Sequence, residues 1–93
     1  MVFIMGIKKK CRELNQIKNK FIEWLKTNNA EGIDVYESKD SDWDYYRHVS
    51  AFIGETLYNV YFTMWEDEVK IDYSDIENRY NDMSINDFLQ LLH

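Results

Sequence analysis

The chain is predicted to fold as an α+β protein. The expected elements are an N-terminal helix, a four-stranded antiparallel β-meander and short C-terminal helices, with the helices packed on one sheet face. Three observations predict this. Apolar residues recur at helical spacing from Ile7 to Leu25. The stretch LYNVYFTMWEDEVKIDY, residues 57–73, alternates as two strands about an acidic turn. The turns on either side of Thr56–Trp65 set two registers that agree on which residues face a core.

The first element rests on Ile7, Cys11, Leu14, Ile17, Phe21 and Leu25, spaced by three or four residues along one helical face. Ile22 and Trp24 widen the stripe, and the lysines fall mainly on the opposite side. Asn28, Asn29 and Gly32 tolerate left-handed backbone, so the helix should end near them. Residues 1–6 are expected to be dispensable or disordered.

Ile33–Ser38 is short, β-branched and aromatic, and predicts a first strand. Lys39–Asp42 is a turn. Trp43–Ile53 and Thr56–Trp65 are predicted as strands two and three, joined at Gly54-Glu55. Glycine at the first loop position suits a type II′ hairpin. Glu66-Asp67 turns the chain into strand four, Glu68–Tyr73.

A two-residue loop at Gly54-Glu55 pairs Ile53 with Thr56, and hence Val49 with Val60 and Tyr45 with Met64. A two-residue loop at Glu66-Asp67 pairs Trp65 with Glu68, and hence Phe62 with Ile71 and Val60 with Tyr73. Both hairpins send Tyr58, Val60, Phe62 and Met64 to one face, and a one-residue slip in either would flip a strand. Arg47 is the discordant residue, because it falls on the apolar face opposite Phe62. It is expected to snorkel to the rim or to be turned outward by a bulge.

Ser74-Asp75-Ile76-Glu77 matches a capping box opening a short helical turn. Ser84 then opens a last helix with Ile85, Phe88, Leu89 and Leu92 on its apolar stripe. With both helices on one side, the other sheet face is left open.

The 93 residues are expected to form one domain, 1–93, and 45% hydrophobic content suffices for a core. One cysteine allows no disulfide within the chain, which fits a reducing, cytoplasmic setting. The opening MVFIMG is too short for a secretory signal, and no window approaches a membrane span. Charge is divided unevenly. Residues 1–30 hold seven Lys/Arg and two acids, net +5, whereas residues 31–93 hold four and fifteen, net −11. The overall −6 argues against nucleic acid as a direct partner.

No motif argues for catalysis, a metal or a cofactor. Asp40-Ser41-Asp42-Trp43-Asp44 begins like a calcium loop, but Tyr45 replaces its glycine and Ala51 its closing glutamate. His48 and Asp72 share a cross-strand row two strands apart, about 9.6 Å, too far for a base and its orienting acid. Cys11 has no second ligand beside it, and there is no phosphate-cradling glycine loop or nucleophile elbow.

The open face carries the functional expectation. Its rows are Asp44–Trp65–Glu68, Tyr46–Thr63–Lys70, His48–Tyr61–Asp72 and Ser50–Asn59. Turn acids Asp40, Asp42, Glu66 and Asp67 join them, with Trp43 beside them. Aromatic residues among carboxylates mark a binding surface for a basic protein. In overall character the chain resembles the phage-encoded anti-CRISPR and anti-restriction proteins, which are tiny, acidic and built from a few strands and helices. An Asn-, Ile-, Lys- and Tyr-rich composition also suits an AT-rich bacterial or phage genome. The resemblance implies a non-enzymatic inhibitor in the bacterial cytoplasm, occupying the nucleic-acid site of a nuclease or other DNA- or RNA-binding effector. An immunity protein against a nuclease toxin demands the same chemistry. A regulatory domain that dimerises through a sheet edge is a further alternative, disfavoured by Lys70 and Asp72 on strand four.

Overall fold

The computed structural model describes residues 2–38 and 43–92, the side chains of 2–5 and 7 excepted. The chain order is α1 (Val2–Thr27), β1 (Glu31–Glu37), β2 (Tyr45–Ile53), β3 (Thr56–Trp65), β4 (Glu68–Ser74), β5 (Arg79–Met83) and α2 (Ile85–Leu91). The five strands form one antiparallel sheet in the order β1-β2-β3-β4-β5.

Both expected registers are present. Ile53 pairs with Thr56 and Tyr45 with Met64, while Trp65 pairs with Glu68 and Val60 with Tyr73. Gly54 takes φ 61°, as the first central residue of a type II′ turn requires. At the other hairpin Glu66 (φ 48°) and Asp67 (φ 70°) are both left-handed. That is the signature of a type I′ turn, here built without glycine.

The core lies on one face. Leu14, Ile17, Phe21 and Leu25 of α1 and Phe88 of α2 are buried against Val49, Ala51, Val60, Phe62, Met64 and Ile71. Phe21, Phe62 and Phe88 meet pairwise at 5.4–6.2 Å between ring centroids. Such aromatic pairs contribute about 0.5–1.5 kcal/mol beyond area burial. Arg47 keeps its place opposite Phe62 without a bulge. Its guanidinium lies over the Tyr45 ring at 4.5 Å, with Nε 3.0 Å from Glu37 at the rim. Nε has no hydrogen-bond partner among the described atoms, so the Glu37 contact is an ion pair without hydrogen-bond alignment.

Helix α1 closes with a Schellman motif. Ala30 N–H donates to the Leu25 carbonyl at 2.9 Å and Asn29 N–H to that of Lys26 at 3.1 Å. Asn29 supplies the left-handed residue at φ 61°. Gly32, at φ 63°, serves the irregular start of β1 instead.

Four expectations are corrected. The helix backbone starts at Val2 rather than near Ile7, and the side chain of Ile7 lies outside the described ones. Among the described residues the sheet has five strands, not four. Strand β2 starts at Tyr45 rather than Trp43. Finally, no helical turn follows Ser74. Asp75 Oδ1 accepts from the N–H groups of Glu77 and Asn78, both at 2.8 Å, and Asp75 N–H donates to the Asn78 carbonyl at 2.9 Å. That local Asp pattern makes a hairpin loop, pairing Ser74 with Arg79 and returning the chain as β5. Ser84 does cap α2, accepting from Asp87 N–H at 3.1 Å.

Candidate functional site

No described helix covers the sheet face opposite the core. A chain of aromatic rings runs across it instead. Trp65 meets Trp43 at 5.4 Å between centroids, and Trp43 meets Tyr46 at 5.3 Å. Tyr46 meets Tyr36 of β1 at 6.2 Å and Tyr61 at 6.4 Å, and Tyr61 stacks on His48 at 4.1 Å and 3°. The pleat explains the alignment, since Tyr46, His48, Tyr61 and Trp65 alternate with core residues along their strands. Thr63 lies beside Trp43 and Trp65 on this face, is 7% exposed and donates its hydroxyl to the Lys70 carbonyl at 3.2 Å. The outer rings remain open to solvent, with Trp65 42% and Tyr36 56% exposed. Burial among its neighbours, with Tyr61 and Tyr36 nearby, raises the Tyr46 hydroxyl above its ordinary pKa.

The carboxylates are less concentrated here than the sequence predicts. Asp40 and Asp42 lie outside the described residues. Asp44 departs from its expected row. Its N–H still bonds the Met64 carbonyl at 3.1 Å, but its own carbonyl accepts from Cys11 Sγ on the helix side at 3.5 Å. Regular pairing ends at Tyr45, so alternation no longer governs residues 43 and 44. Trp43 therefore reaches the open face, where the register had placed Asp44. Asp67 turns toward the helix, with Oδ1 2.9 Å from Lys10 Nζ. Asp72 is engaged within the sheet, accepting from Asp82 N–H at 2.7 Å. Of the remaining expected acids, Glu68 flanks Trp65 beside the open face and Glu66 is exposed in the turn.

His48 does not meet Asp72. Its Nε2 lies 2.9 Å from Asn59 Oδ1 and its ring is stacked on Tyr61. Burial first, and Asp44 second, push the Cys11 thiol up, so it is a poor thiolate nucleophile. Among the described residues no cluster of three or more His, Cys, Asp or Glu could hold a metal ion. Nor, among the described residues, is any helix long and apolar enough to cross a membrane.

Sequence reasoning missed Tyr36 and Asp82 at this face. Tyr36 was legible in principle, because its strand pairs with β2 and places it opposite His48. Asp82 was not. It belongs to the unforeseen β5, where pairing shifts between Ile71 and Tyr73, and its φ of 56° is left-handed. The extra residue of such a bulge redirects a side chain in a way that alternation cannot foresee. Compared with known proteins, the chain matches no family model, no curated protein and no solved structure.

Proposed function

We propose that this protein is a non-enzymatic inhibitor whose open sheet face docks on a basic protein surface, the nucleic-acid groove of a nuclease or other DNA- or RNA-binding effector. The carrying observation is the aromatic chain Trp65–Trp43–Tyr46–Tyr61–His48, with Tyr36 at its side, on a face that no described helix covers. Trp and Tyr are enriched among the few residues that dominate protein interfaces, and Trp65 and Tyr36 are exposed here. Glu66, Glu68 and Asp82 add negative charge around the Trp65 end, which suits a partner built to hold phosphates. The corrected placement of Asp44, Asp67 and Asp72 shifts the emphasis: aromatic contact leads, and carboxylates steer.

Competition tests this reading. Immobilised protein should retain a basic nucleic-acid-binding protein from host extract, and added DNA or RNA should release it. Trp65→Ala should lose the capture while keeping the wild-type far-UV spectrum. Retention of the partner in excess nucleic acid would overturn competition for the groove, and undiminished capture by Trp65→Ala would overturn the assigned face.

A further inference from the structure

At the Trp65 end the open face forms a cleft of about 310 Å³, lined by Trp43, Thr63, Trp65, Glu68, Lys70 and Asp82. We infer that this cleft receives a single cationic side chain of the partner, an arginine guanidinium by preference. The inference rests on the reading of this face as a docking surface and names the group that anchors there.

Three features point to a cation. The ring planes of Trp43 and Trp65 stand at 82° with centroids 5.4 Å apart, an edge-to-face pair of which both indoles line the cleft. Tryptophan faces attract cations within about 6 Å of the ring, and arginine also stacks flat on them. The Thr63 hydroxyl is donated to the Lys70 carbonyl, so toward the cleft its oxygen can only accept, which suits a donor such as a guanidinium. Glu68 and Asp82 flank the cleft from neighbouring strands, which suits the charge of a guanidinium. The bulge held by Asp72 on Asp82 N–H sets the position of the second carboxylate.

Lys70 lines the same cleft. Its ammonium opposes an incoming cation, so two carboxylates and one ammonium leave the site net negative. This yields a specific expectation: removing Lys70 tightens binding.

The probe is N-acetyl-L-arginine N-methylamide, which carries one guanidinium and no other charge. Binding is followed by NMR at the indole N–H signals. The signals of Trp43 and Trp65 should shift saturably, with a dissociation constant in the millimolar range. That of Trp24, stacked on Phe21 on the core side, should stay fixed. The norleucine analogue, lacking the charge, should shift neither pair comparably. Trp65→Ala should weaken binding at least about fivefold. Glu68→Gln and Asp82→Asn should each weaken it, and Lys70→Ala should strengthen it, all with the wild-type amide spectrum elsewhere.

Absence of a saturable shift through the millimolar range would overturn the inference, as would an equal response to the norleucine analogue. If the probe fails but Trp65→Ala still loses the captured partner, the docking face stands without its cation pocket. If the probe binds but capture is unaffected, the pocket stands and the proposed function falls.

Discussion

Lys10 of α1 holds Asp67 of the β3–β4 turn at two points. Its Nζ lies 2.9 Å from Oδ1 and donates to the Asp67 backbone carbonyl at 3.0 Å. The basic helix therefore reaches the acidic sheet at a turn whose two central residues both sit in the left-handed region. Both side chains are about two-fifths exposed (39% and 40%), so solvent screens the pair.

Lys10→Ala is accordingly expected to cost about 1 kcal/mol or less in urea unfolding. Glu66→Asn should act in the opposite sense. Glu66 occupies φ 48°, a conformation that asparagine adopts more readily. A gain of about 0.5 kcal/mol is expected, with an unchanged urea m-value. A loss would mean that the Glu66 side chain has a stabilising contact of its own.

Tyr73 donates its hydroxyl proton to Asp75 Oδ2 while Oδ1 caps the β4–β5 loop. The Tyr73 hydroxyl bond, followed by the loop N–H groups, holds the Asp75 carboxyl below its ordinary pKa. The folded state thus binds this proton less readily than the unfolded chain. Its stabilising effect is present above the ordinary carboxyl range, about pH 4, and is lost as pH falls through the lower folded value. Asp75→Asn should flatten the acid limb of the stability curve. An unchanged limb would exclude Asp75 as a contributor.

The alkaline limb draws on tyrosines whose hydroxyls burial pushes up, Tyr45 together with Tyr73 and Tyr46. Burial pushes the Tyr45 hydroxyl up to about 12, with the Arg47 guanidinium opposing. Between the ordinary tyrosine value, about 10, and that raised value, unfolding releases a proton that the folded state retains. Tyr45 therefore contributes stability that is complete below pH 10 or so and declines as pH rises toward about 12. Tyr45→Phe removes that decline but also the hydroxyl's bond to Asn15 Oδ1 at 3.2 Å. The variant should lose about 1 kcal/mol at neutral pH and show a shallower alkaline slope.

Phe88 is fully buried between Phe21 and Phe62, at 5.7 and 5.4 Å between centroids. Phe88→Ala is expected to cost about 3 kcal/mol or more in chemical denaturation. A cost below about 1 kcal/mol would mean that the core collapses around the missing ring, which close packing opposes.

The meander was legible because its information is local. Two tight turns and strict alternation place Val60, Phe62 and Met64 on one face from either hairpin, and Tyr61 and Trp65 on the other. Strand β5 was hidden for the converse reason. Arg79, Tyr80, Asn81 and Asp82 are exposed, so no buried face impresses alternation on RYNDM, and its hairpin depends on Asp75 side-chain bonds. The exchange of Trp43 and Asp44 was equally hidden, since a repeating pattern says nothing past the residue where pairing stops. Through that exchange Trp43 comes to line the same cleft as the buried Thr63.

The contact between Phe21 and Phe88 also bears on the order of folding. It joins residues near opposite ends of the chain, whereas every strand pairs with its immediate neighbour in sequence. The hairpins can close quickly, each over a short loop, but the helical layer requires one long excursion to be closed. In refolding experiments the sheet signal should therefore develop ahead of the burial of Trp24, which stacks on Phe21 at 5.9 Å. Until that closure, Val60, Phe62 and Ile71 stand uncovered, and aggregation competes with refolding in this interval.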